Sequence, residues 1–451
     1  MTTRIDTIEL TNFRSFAKLS SSFHPELTVL VAPNGGGKTA ILDALAIALH
    51  SFVAALSAGR SEGRMRLDDV RRVIGPEKTM EFVLPTQIVA NGMIADANAQ
   101  WSQRIVTADA DGIRILSKTK QLREIAVSLR QQILDYTERK RPDVPNLPVL
   151  CYYGTGRLWN TNDAARPHKQ TKLSTPDETS RFRGYADCLS PESSYKFFEE
   201  WFGRFSREAQ SERESSRASP HRPRERLNAV RIAVGRLLRP SGWQGLEWNF
   251  AEDTLVATHA EHGRLPVRVL SDGIRNMIGM VGDLAHRCVR LNPQHGEDAA
   301  GMTPGIVLID EVDMHLHPSW QQQILGALRS AFPRVQFIVT THSAPVLTTV
   351  GAGSVRVLWN DEEGTHAEPP QTSPLARPAG DALAMVLGTD PRPSLPLNED
   401  LHRFEQLVRE GMEESSAAQQ VYTQLKAAGV QIAESDLALW RFFAAQRGAA
   451  R

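Results

Sequence analysis

Residues 31–40 read VAPNGGGKTA. Glycine loses more conformational freedom on folding than any other residue, so three in a row are kept only where the chain needs a bare backbone. Lys38 and Thr39 follow, and then AILDALAIAL, a run of strong helix formers that predicts a helix from Thr39 to Leu49. Before the turn stands apolar LTVLV, a strand by its composition. A turn between strand and helix offers successive N–H groups and the positive end of a helix to an anion. From Ala32 to Thr39 the residues fit the P-loop pattern G-x-x-x-x-G-K-[ST], with a small alanine in place of the first glycine. Gly35, Gly36 and Gly37 are thus expected to cradle phosphates, Lys38 to reach the β- and γ-phosphates, and the Thr39 hydroxyl to ligate Mg²⁺.

The rest of a nucleotide site should stand at the end of a neighbouring buried strand. GIVLIDEVD, residues 305–313, is such a place: Ile306 to Ile309 suit a strand covered on both faces, and the acids follow at its C-terminal end. Asp310 is expected on the Mg²⁺ side and Glu311 as general base for the attacking water. A helix from about Ser319 to Ala331 and a strand VQFIVTT then complete a βαβ unit ending at His342, placed to sense the γ-phosphate. His315 and His317 form an H-x-H, but no third ligand of suitable spacing follows except His342, so they read as loop residues rather than a zinc site. Upstream, Ser271-Asp272-Gly273 precedes an amphipathic helix carrying Ile274, Met277, Ile278, Val281 and Leu284, which by itself is an N-capped helix.

Together these motifs resemble the head domain of ABC-type ATPases of the RecF, SMC and Rad50 kind: P-loop, L-S-x-G-like helix start, I-D-E strand end and T-H-S, in that order. IELTNFRSF at 8–16 adds to the likeness. The resemblance implies an α/β fold, a P-loop ABC-type ATPase head of mainly parallel sheet plus an antiparallel β subdomain. It also implies that Ser271 and Gly273 touch the γ-phosphate of the opposite subunit, with Arg14 and Asn34 helping on the cis side. ATP would then hold a homodimer or higher oligomer together through shared sites. The glutamine that usually bridges Mg²⁺ and water has no assignable counterpart.

Length and charge frame this reading. At 451 residues the chain exceeds one ordinary core. Lys+Arg and Asp+Glu both total 52, so any basic site for nucleic acid must be local. Cys151, Cys188 and Cys288 lack metal-ligand spacing and read as reduced packing residues. No stretch reads as a membrane span and MTTRIDTIEL has no signal-peptide pattern, which points to a cytoplasmic protein with no membrane partner.

The expected organisation is a head N-lobe at 1–75, a compact α/β insertion at 76–265, a head C-lobe at 266–380 and C-terminal helices at 381–451. In the insertion, 80–117 read as short antiparallel strands broken by NG and DG, followed by a helix from Lys118 to Lys140. Residues 204–226 are Arg-rich and Pro-broken, read as a mobile loop ahead of a phosphate-binding patch. No sustained heptads appear. In the tail, Leu401, Phe404, Leu407, Val408, Val421, Leu425, Leu437, Leu439, Trp440 and Phe443 fall at helical spacing, either packed on the head or facing a partner.

CYYGTGRLW, SRFRGYADCLSPESSYKFFEEWF and VDMHLHPSWQQQI narrow the likeness to the short bacterial ATPases typified by PtuA of the Septu anti-phage system and those of retron systems. That resemblance implies an ATPase regulating a separate PtuB-like HNH nuclease, with nucleic acid as a further candidate partner. The OLD-type nucleases carry a Toprim domain after the head. The residues after His342 lack a Toprim acidic cluster, so the chain is not expected to be a nuclease. A DNA-repair or chromosome-maintenance clamp is the alternative, and an ATP-binding scaffold with negligible turnover a third.

Overall fold

The computed structural model describes all residues except 58–63, 76–77, 110–111, 140–143, 159–179, 192–194, 216–221, 363, 391–393 and 450–451. An eleven-stranded sheet organises the main unit. In spatial order its strands are Gly112–Lys118, Ala97–Asp109, Thr86–Ile94, Arg4–Phe13, Phe16–Ser22, Thr365–Glu368, Val355–Asn360, Leu27–Val31, Val335–Thr340, Gly305–Ile309 and Val149–Tyr153. The last five run parallel. Four of them, from Leu27–Val31 to Val149–Tyr153, are buried at every position, which is why their sequences are unbroken apolar runs without alternation. The first five pair antiparallel with one another. There the pattern alternates: Thr86–Ile94 is buried at every second residue.

Several expectations need correction. Asn91-Gly92 is not a turn but lies inside Thr86–Ile94. A Cβ on Gly92 would stand 2.3 Å from the Arg4 carbonyl, so glycine is required by the close approach of the neighbouring strand. The turn comes later, at Ala95 and Asp96, both at positive φ (53° and 67°). In the DG pair, Asp111 lies outside the described residues. The segment 76–265 is not a separable insertion either, because Val149–Tyr153 is an integral strand of the parallel core, hydrogen-bonded to Gly305–Ile309.

The Arg-rich stretch is largely helical. Helix Tyr195–Ser215 runs through its first half and Pro223–Leu238 begins in its second, while 216–221 lie outside the described residues. Phe198, Trp201, Phe202, Phe205 and Ala209 make one buried stripe at helical spacing. Arg204, Arg207 and Gln210 are on the solvent face of that helix, not in a loop. The helix expected over 319–331 is split into Pro318–Gln321 and Ile324–Ala331.

Lys38–Ser57 runs beyond the expected end at Leu49. Contrary to the sequence reading, Lys38–Leu56 is long and apolar enough to cross a membrane. Two-thirds of it is covered within the protein, and Ile41, Leu42, Leu45, Leu49 and Phe52 are fully buried, which makes it a core helix. All three cysteines are buried and free, and burial pushes the Cys151 thiol up to about 12.

Two compact units divide the chain at Thr389/Asp390, rather than at 381. Helix Ala379–Leu387 belongs to the main unit because Ala382 and Val386 are buried in its core. The second unit comprises helices Asn398–Arg409, Ser416–Ala427 and Glu434–Ala449. Phe404, Val408, Ala418, Val421, Leu425 and Trp440 form its own core. Much of the tail's apolar spacing thus serves the second unit's own core, in which Trp440 is buried, while Leu439 is exposed and the Phe443 side chain is outside the described residues.

Candidate functional site

The glycine turn joins strand Leu27–Val31 to helix Lys38–Ser57, and each glycine has its own reason. Gly35 and Gly37 have φ of 78° and 88°. A Cβ on Gly36 would lie 2.7 Å from the Ala32 Cβ, and one on Gly37 would lie 2.3 Å from the Phe16 ring. Phe16 comes from the N-F-R-S-F stretch, so the start of the chain packs directly under the loop. Asn34, Gly35 and Thr39 are exposed, whereas Lys38 is buried. Its ammonium donates to the carbonyls of Ala32 (3.0 Å) and Pro33 (3.4 Å). Burial lowers the Lys38 pKa, and the charges of Asp310 and Glu311 oppose that shift.

The two halves of the sequence meet at Asp310. Its Oδ2 accepts from the Thr39 hydroxyl at 2.9 Å and its Oδ1 from the Thr340 hydroxyl at 2.6 Å. The Thr340 oxygen in turn accepts the Glu311 amide at 2.7 Å. One buried threonine therefore ties the Asp310 carboxylate to the Glu311 backbone, a role the sequence reading missed although the residue stands two before His342. Glu311 has φ 47°, a left-handed conformation that costs a non-glycine residue free energy and re-aims its side chain off the strand axis. The oxygen-only donors Thr39 and Asp310 suit a hard divalent cation.

His342 is exposed just past strand Val335–Thr340. His317 caps helix Pro318–Gln321 through Ser319, and His315 is an exposed loop residue at φ 62°. Among the described residues, the one group close enough to share an ion is His259, Glu261 and His262, on a different hairpin.

Arg14 and Gly273 each have close neighbours within the chain. The Arg14 guanidinium is held by Asp43, one helical turn after Thr39, and by Asp69, whose Oδ1 takes Nε at 3.0 Å and Nη2 at 2.9 Å. Burial would lower the Arg14 pKa, but the two carboxylates outweigh it and raise it. Gly273 is buried, and a Cβ there would lie 2.4 Å from the His315 carbonyl oxygen. Its role within the chain is to let helix Asp272–Leu291 close onto the loop after Glu311. Ser271 precedes that helix, is exposed, and makes no capping hydrogen bond through its side chain.

Comparison with known proteins gives the family. Residues 4–363 match the family model described as RecF/RecN/SMC N terminal domain. The chain is 38% identical over 155 residues to the Retron Vc95 probable ATPase of Vibrio cholerae serotype O1 biovar El Tor, covering 34% of this chain and 30% of the relative. It is 44% identical over 94 residues to the Septu protein PtuA of Bacillus mycoides (strain KBAB4), covering 21% of this chain and 12% of that protein. The matched segments thus span less than a third of either relative. Among solved structures it is similar to an SMC head domain from Thermotoga maritima, with TM-score 0.42, 14% identity, and coverage of 82% of this chain and 100% of that one.

Proposed function

The chain belongs to the RecF/RecN/SMC N-terminal domain family, and from that premise we propose that it binds ATP with Mg²⁺ and hydrolyses it to ADP and phosphate. The observation that carries this reading is the Thr39–Asp310–Thr340–Glu311 network, which joins the P-loop to the acids across three parallel strands. Bound Mg²⁺ would neutralise charge developing on the phosphates. Thr39 and Asp310 would hold the cation, and Lys38 would turn its ammonium from the Ala32 and Pro33 carbonyls to the phosphate oxygens. Glu311 would accept a proton from the attacking water, and His342 would face the γ-phosphate from the next strand end.

Exposed Ser271, at a helix N-terminus whose N–H groups are free to bind an anion, supports a site completed by a second copy of the chain. ATP then favours a two-fold dimer and hydrolysis releases it. The likeness to the retron ATPase and to PtuA supports a role in the cytoplasm as the ATPase subunit of an anti-phage defence complex. Its output would pass through a separate HNH nuclease. The test is a pair of variants: Lys38→Ala should lose ATP binding, whereas Glu311→Gln should retain binding and lose hydrolysis. Equal ATP affinity in Lys38→Ala and wild type refutes the assignment. For the shared site, Lys38→Ala subunits mixed with Ser271→Arg subunits should recover hydrolysis, because both defects then fall in the same site. Copurification with the products of neighbouring genes tests the nuclease partner, and salt-dependent duplex binding without such a partner would favour a DNA clamp.

A further inference from the structure

Consecutive residues of a strand point to opposite faces of the sheet. At the end of strand Val149–Tyr153 this places two buried tyrosine hydroxyls on two different helices. The Tyr152 hydroxyl donates to Asp43 Oδ1 at 2.8 Å, on the helix that follows the P-loop, and the other oxygen of that carboxylate takes Arg14. The Tyr153 hydroxyl donates to Asp283 Oδ2 at 2.9 Å, on the helix that begins after Ser271. That same oxygen accepts from Arg287 Nε at 2.8 Å, and Arg287 also donates to the carbonyls of Gly184 and Ala186. The strand carrying both tyrosines lies against the acidic strand, where the Asp310 amide donates to the Tyr153 carbonyl at 2.8 Å.

We propose that Tyr152 and Tyr153 divide the positioning of the shared ATP site: Tyr152 sets the half a subunit uses itself, and Tyr153 sets the half it presents to its partner. This rests on the shared-site reading above. Neither tyrosine needs to touch nucleotide. Tyr152 acts through Asp43, which sits one turn from Thr39 and holds Arg14. Tyr153 acts through Asp283, twelve residues along the helix from Ser271, about 18 Å at the usual rise per residue. Over that lever a small rotation at Asp283 becomes a displacement of the Ser271 end. Asp283 and Arg287 are nearly buried, with side-chain exposures of 6% and 12%, so they keep each other paired when one further donor is removed. A phenylalanine at 153 therefore leaves the helix in place but removes this hydrogen bond to the strand beside the acidic one.

The test uses mixed dimers of Lys38→Ala and Ser271→Arg subunits. Their one intact site takes its P-loop from the Ser271→Arg chain and its Ser271 from the Lys38→Ala chain. Tyr153→Phe on the Lys38→Ala chain should lower turnover about threefold to tenfold, since only part of the more than tenfold worth of one hydrogen bond to a charged group is passed on to Ser271, and on the other chain less than about twofold. Tyr152→Phe should show the opposite asymmetry. A purely structural role would lower turnover equally from either chain, and that result, or no loss from either, overturns the proposal. Should Tyr153→Phe fail to fold, Tyr152→Phe decides alone, since an equal loss on both chains refutes the division. If the parent mixture is no more active than its separate subunits, the shared-site reading has failed and this proposal falls with it. Activity in the parent mixture without asymmetry refutes the tyrosines alone.

Discussion

Replacing Thr340 by valine tests the arrangement of the acids without touching either of them. Thr340 is fully buried, and valine matches its shape, so the change removes a hydroxyl and little else. Asp310 loses a 2.6 Å hydrogen bond, worth about 1.5–3 kcal/mol for a charged acceptor. The Glu311 amide, bonded at 2.7 Å in a partly buried setting, is left without its acceptor, at a further cost of about 1–2 kcal/mol. The expected destabilisation is therefore about 2.5–5 kcal/mol, the sum of those two losses. Thr340→Ser keeps the hydroxyl and should cost about 1 kcal/mol for the lost methyl. Denaturant unfolding followed by tryptophan fluorescence reads the main unit, because of the eight tryptophans only Trp440 lies beyond Thr389. Mg²⁺-dependent ATP affinity should fall in the valine variant, as Asp310 keeps its Thr39 hydrogen bond but loses the one that fixes its other oxygen. A valine variant within about 1 kcal/mol of wild type, or one no less stable than the serine variant, refutes the reasoning.

Three other outcomes follow from the geometry. Gly273→Ala forces a Cβ to within 2.4 Å of the His315 carbonyl, so the helix start must shift; turnover should fall while ATP affinity measured on subunits kept apart stays unchanged. Unchanged turnover would show the contact to be unimportant. His286 lies buried against Trp201, and burial first, then Arg290, Arg287, Arg226 and Arg204, lower its pKa well below 6.5. The unfolded chain takes up a proton there that the folded chain refuses, so stability should fall as pH drops below about 6.5, by up to about 1.4 kcal/mol per pH unit. His286→Phe should flatten that component, and identical pH profiles for the two proteins would refute it. Removing Asp390–Arg451 should leave ATP binding by the main unit intact, since the deleted unit has its own core; association with a nuclease partner should be lost if that unit is the docking element. Full retention of a copurifying partner would place docking in Met1–Thr389.

The site was legible in the sequence where chemistry is local. The glycine turn, Lys38, Thr39, Asp310 and Glu311 announce themselves because phosphate cradles need bare backbone next to a helix start, and carboxylates at the end of an apolar strand mark where parallel sheets display ligands. Thr340 was less legible, since a threonine before a histidine carries no signal until its hydroxyl is seen between two acids. The Arg-rich helix was misread because charge counts hide a one-in-four aromatic stripe, and Asn91-Gly92 because the same pair serves a turn or a close strand contact.

By itself, the sequence determined that a strand, a glycine turn and a helix would follow one another, and that two later strands would end in acids and a histidine. These follow from residues within one element of each other, where periodicity and backbone geometry leave few choices. Only the tertiary structure decided that Val149–Tyr153 is the strand beside Asp310, that Arg14 is answered by Asp43 and Asp69, and that Asp283 ties the helix after Ser271 to Tyr153. Those pairings join residues 29 to 157 positions apart, and nothing in either partner's local sequence names the other. Hydrogen-bonding groups taken out of water must find partners, but which partner each finds is set by how the sheet and its helices close around it.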